Sequence, residues 1–113
     1  MSTPPPANDQ GLRAVHDGLV ALVVHLDATI ATAKDEGQVE VLTNQIDILN
    51  AQVTALGEKL FDEQTTDITQ ALNVVAEAQS AAVKAVKAKA EIGAITDAAA
   101  DCISKVAMLL RLL

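Results

Sequence analysis

From Ala71 to Leu113, small or apolar side chains recur at Ala71, Val74, Ala78, Ala81, Ala85, Ala88, Ile92, Ile95, Ala99, Cys102, Val106, Leu109 and Leu113. Every step is three or four residues, which draws a stripe along one side of a helix that a second helix must cover. A similar stripe runs through Leu12, Val15, Leu19, Leu22, Leu26, Thr29 and Ala33. It predicts a first helix from about Asn8 or Asp9, either a fair N-cap, to about Lys34. Between Leu19 and Val24 this helix is apolar on every side, so it belongs at the centre of a bundle or an oligomer. Gly18, within it, costs up to about 1 kcal/mol relative to alanine and allows a close helix contact.

Asp35-Glu36-Gly37-Gln38 reads as a break, with Asp35 and Gln38 at capping-box spacing. The second helix carries heptads with Val39, Ile46, Val53 and Leu60 at a and Leu42, Leu49 and Leu56 at d. Its e and g positions, apart from Lys59, are uncharged, and Val41, Ile48 and Ala55 add a third apolar row. That breadth suits an antiparallel bundle better than a two-stranded zipper. Thr65, Thr66 or Asp67 can cap the third helix, in which alanine dominates from Ala76 to Ala90 and brings helix axes close. At Gly93 the pattern allows either a C′ residue, with Thr96 or Asp97 capping a fourth helix, or unbroken passage. The undisturbed spacing favours one helix of about 45 residues, roughly 65 Å long.

The expected fold is therefore all-α: a helical bundle or antiparallel coiled coil of three long helices, with a break near Gly93 giving four. Residues 1–8, containing all three prolines, form a disordered tail, and residues 9–113 the bundle domain. A single phenylalanine, with no tyrosine or tryptophan, leaves Ala, Leu, Val and Ile to build the core. Five scattered glycines supply too few turns for a many-stranded fold.

Net charge is −7, concentrated in residues 1–67, which hold 11 acidic and 3 basic side chains. That balance opposes nucleic-acid binding, which needs a basic face. The polar, proline-containing start is not a secretory signal, and the apolar run Leu19 to Val24 is far short of the roughly 20 residues that span a bilayer. A cytoplasmic location is expected, with signal-less secretion beyond the reach of sequence patterns.

Candidate chemistry is sparse. His16 and His25 point to opposite sides of one helix, and neither has glutamate three residues before it, as di-metal bundles require. Cys102 lies in the stripe as a small apolar side chain. Lys84, Lys87 and Lys89 can meet acidic helices, water or anionic lipid. No phosphate loop, catalytic triad or Cys-x-x-Cys spacing occurs, so the chain reads as non-enzymatic and without cofactors or metals.

The apolar end is more than one bundle face can bury, and large exposed apolar patches mark interaction sites. The residues expected at a partner or oligomer interface are Cys102, Ile103, Val106, Met108, Leu109, Leu110 and Leu113. The function expected is a protein–protein interaction module: a self-associating adaptor, chaperone-like protein or assembly subunit. It would be a homo-oligomer, most simply a dimer, or bind a helical partner. The alternative is an amphipathic protein that binds membrane or lipid surfaces.

Overall fold

The computed structural model describes residues 7–60 and 65–113, and they form four helices: α1 (Ala7–Ile30), α2 (Glu36–Gly57), α3 (Thr66–Lys87) and α4 (Ile92–Leu112). There is no strand among the described residues. The expected proline-rich tail lies outside them except for its last two positions. Helix α1 already contains Asn8 and Asp9, so neither caps it.

The chain breaks just before Gly93, where the spacing favoured continuity, so the bundle has four helices, the alternative that the sequence left open. At the end of α3 the Lys89 N–H donates to Val86 O (3.0 Å) and the Ala90 N–H to Ala85 O (3.0 Å). Lys89 stands at φ 56, the left-handed conformation of a Schellman C′ residue. A lysine takes the position usually given to glycine, at a cost of about 1 kcal/mol. Gly93 lies inside the first turn of α4 and terminates nothing. Nor do Thr96 and Asp97 cap α4, whose N-cap is Glu91 without a side-chain bond.

Two of the other caps follow the sequence. The Asp35 carboxylate accepts from the Gln38 N–H (2.9 Å), and Gln38 Oε1 in turn accepts from the Lys34 N–H (2.8 Å). Thr65 Oγ1 accepts from the Ile68 N–H (3.2 Å) and so starts α3, which places Asp67 in its first turn.

Each helix packs on two others. The hairpins α1–α2 and α3–α4 lie side by side, so that α1 neighbours α3 and α2 neighbours α4. Gln45 Nε2 donates to Thr96 O (2.8 Å) and Gln52 Nε2 to Ile103 O (3.0 Å). Seven residues forward on α2 match seven forward on α4, so these two helices run parallel. Gln79 Nε2 donates to Val15 O (2.7 Å) across α1 and α3. A β-carbon on Gly18 would lie 2.5 Å from Gln79 Oε1, which makes the glycine the notch that admits this amide.

The core is leucine-rich at its α1 and α2 side: Leu12, Leu19, Leu22, Leu26, Leu42, Leu49 and Leu56 are fully buried. The α1 stripe is buried as expected, through Thr29. The claim that residues 19–24 are enclosed does not hold within the chain, since Val20 and Val24 are 44% and 62% exposed. On α2 the row flanking the leucines is Gln45 and Gln52, while Val41 and Ile48 lie outside. On α3 the buried positions are Ile68, Leu72, Val75, Ala78, Gln79 and Ala82, so Val74 and Ala81 of the expected stripe face out. On α4 the stripe is as read: Ile95, Ala99, Cys102, Val106 and Leu109.

Candidate interaction surface

The seven residues expected at an interface divide three ways. Cys102, Val106 and Leu109 are fully buried in the chain's own core, covered by the neighbouring helices, and offer a partner no surface. Ile103, Leu110 and Leu113 are half-buried at the core's edge. Met108 is 56% exposed, and Leu112, on the same helix, is exposed as well. One helical end thus serves the core with one stripe and leaves a second stripe to solvent.

Burial pushes the Cys102 thiol up to about 12 from an ordinary 9.0, with the neighbouring Asp101 carboxylate adding to the rise. The neutral thiol therefore costs folding nothing below pH 9, and stability falls as pH rises from about 9 towards 12, because the unfolded chain alone ionises readily there. A thiolate-selective disulfide reagent at pH 8 should leave native Cys102 unmodified and label it in denaturant; rapid native labelling would contradict its placement.

One exposed apolar surface lies over the parallel pair α2 and α4. Val41, Ile48 and Ala55 stand three or four residues from Gln45 and Gln52, on the side turned away from α1. Val41 and Ile48 are each 46% exposed. Across from them on α4 stand Ala100, Ile103, Ala107 and Leu110, all exposed or half-buried. No charged side chain interrupts these rows; Glu40, Asp47 and Arg111 border them. Beneath run the two glutamine amides, whose Oε1 atoms are buried and accept no hydrogen bond. Sequence reading found the Val41, Ile48, Ala55 row but assigned it to the bundle interior. The buried glutamines, spaced by a heptad, were the signal that the core edge lay one row over.

Two concavities lie elsewhere on the bundle. An open depression of about 770 Å³ sits at the end of the bundle where both hairpin turns meet, bordered by Thr29, Thr32, Lys34, Gln38, Lys89 and Glu91. A shallower one of about 580 Å³ follows α1 and α3, floored by Gly18, Ala21 and Ala76 and edged by His25, Lys84 and Lys87. The lysine row of the sequence is therefore divided between a groove and a turn. His16 Nδ1 lies 3.0 Å from its neighbour Asp17 Oδ1. Among the described residues no three His, Cys, Asp or Glu side chains gather to hold a metal ion. None of the described helices is long and apolar enough to cross a membrane.

No protein-family model, curated protein or solved structure matches this chain.

Proposed function

We propose that the chain is a non-enzymatic protein–protein interaction module that works by presenting apolar helix faces to other helices. Its two hairpins act as antiparallel coiled-coil units, stacked so that the α2/α4 pair is left uncovered. The observation that supports this is the uncharged row of Val41, Ile48, Ile103 and Leu110 on the outside of an otherwise acidic bundle. Burying such surface stabilises a complex by roughly 25 cal/mol per Å² before the costs of association. The same face suits an adaptor or assembly subunit that joins helical partners in the cytoplasm.

The test uses the purified chain and an extract of its native host together. Ile48→Lys should keep the helical circular dichroism and lose whatever association the wild-type chain shows, with itself or with a captured protein. A wild-type chain that sediments as a monomer and captures nothing would end this reading. A second reading, contact with a lipid surface, draws on Lys84 and Lys87 beside the α1/α3 groove; sedimentation with anionic liposomes separates it from the first.

A further inference from the structure

We infer that the α1/α3 groove is a binding site for an extended acidic peptide, whose backbone docks on Gln79 and whose carboxylates reach Lys84 and Lys87. The site lies across the bundle from the α2/α4 face and takes a different partner, a strand rather than a helix. Charge supplies one argument. The chain carries 15 acidic side chains and a net charge of −7, yet no carboxylate lines this groove. Lys84, Lys87 and His25 gather there instead. Both lysines are exposed, and neither makes an ion pair among the described residues. In a molecule whose overall field repels anions, this groove is lined to admit one.

Gln79 supplies the other argument. It is only 8% exposed and lines the groove beside Gly18. Its Nε2 is taken by Val15 O, but among the described residues nothing donates to its Oε1, which lies at the notch of Gly18. An acceptor fixed in this way calls for an N–H or O–H donor from outside. Gly18, Ala21 and Ala76 carry nothing beyond a β-carbon, so a peptide backbone can come close enough to deliver its N–H. An alkyl chain laid in the same place would offer Gln79 no donor. Both hairpins are antiparallel and α2 runs parallel to α4, so α1 runs parallel to α3, and His25, Lys84 and Lys87 share one end of the groove. At about 1.5 Å per residue the two lysines stand roughly 8 and 12 Å beyond Gln79. An extended chain, rising about 3.3 Å per residue, covers that span in about two to four residues.

Fluorescence polarisation of a dye-labelled peptide, Ala-Gly-Ala-Gly-Asp-Glu-Asp, titrated with the full chain tests this. The peptide should bind, and added salt should weaken it. Lys84→Gln with Lys87→Gln should weaken it by roughly 10-fold or more, since two charge-assisted contacts are lost. Lys34→Gln with Lys105→Gln, which changes net charge equally, should not, nor should Ile48→Lys on the α2/α4 face. Methylating the peptide's backbone nitrogens one at a time should weaken binding at the one position that donates to Gln79 Oε1. No binding at millimolar chain would overturn the inference. Equal binding of the Asn-Gln-Asn version would overturn it too, as would equal losses from the two lysine pairs or indifference to every methylation. Sedimentation with phosphatidylserine vesicles that depends on Lys84 and Lys87, while the peptide stays free, would assign the lysines to lipid instead and overturn the peptide site.

Discussion

Leu109→Ala should lower the stability of the chain by about 3 kcal/mol, within the 2–5 kcal/mol that buried Leu→Ala substitutions cost. Leu109 is fully buried among the core residues of four helices, and removing its branched end leaves a cavity that close-packed neighbours fill only in part. Met108, one residue away and 56% exposed, gives the contrast. Met108→Ala should shift stability by less than about 0.5 kcal/mol, as surface substitutions do. Thermal melting followed by circular dichroism measures both. Comparable losses from the two substitutions would mean that α4 is rotated from the orientation described. The comparison also separates core from interface: a Leu109 variant should unfold earlier at any concentration, and its effect should not scale with association.

The second large effect is expected at Gly18. A β-carbon there would come within 2.5 Å of Gln79 Oε1 and 2.9 Å of its Cδ. Alanine would be accommodated in part by movement of the amide and by its better helix propensity. Valine, rigid at its β-carbon, offers no such escape. Gly18→Val should therefore expel the Gln79 amide, break its bond to Val15 O, and cost about 3 kcal/mol in lost hydrogen bonding and overpacking. In the double variant Gly18→Val with Gln79→Ala the clash is gone, so the combined loss should fall at least about 1 kcal/mol short of the sum of the single losses. Denaturant midpoints for the four proteins of that cycle provide the measurement. Additive losses would show that glycine and amide do not meet.

Much of this bundle was readable from spacing. In α1 the series Leu12, Val15, Leu19, Leu22 and Leu26 and in α4 the series Ile95, Ala99, Cys102, Val106 and Leu109 are buried in the phase that the three-and-four spacing gives. In α3 that spacing has two phases. The series through Ala71, Val74, Ala78 and Ala81 and the series through Leu72, Val75, Gln79 and Ala82 differ by one position. Alanine tolerates either side of a helix, so hydropathy alone chose the series that avoids a glutamine. The structure takes the other, because Gln79 Nε2 donates to Val15 O, 64 residues back along the chain, beside the notch that Gly18 leaves open, and no local pattern carries that. The same cause displaced the α2 row, where Gln45 and Gln52 are buried and Val41 and Ile48 are not.

The helix break escaped for a related reason. Continued at its own spacing, the true α3 series would arrive at Thr96, not Ile95. The chain resets its phase at the turn, but the misread series passes through smoothly and hides the reset. A lysine in the left-handed conformation leaves no residue-type signature, whereas the glycine nearby supplied a false one. In the C-terminal run Cys102, Val106 and Leu109 are buried while Met108 and Leu112 face solvent. Which of its residues face inward depends on where α2 and α3 stand, and no local pattern carries that.

The heptad-spaced amides on α2 also bear on how the two hairpins find one alignment. Gln45 and Gln52 lie as far apart as Thr96 and Ile103, so a slide of two full turns would let one amide engage the other's acceptor. By itself this pair is a repeating scale that reads similarly at several settings. The Gln79 amide in its glycine slot is a single tooth with a single gap, and only one setting lets it engage. The repeating marks give the hairpins their grip, and the lone tooth decides where they stop.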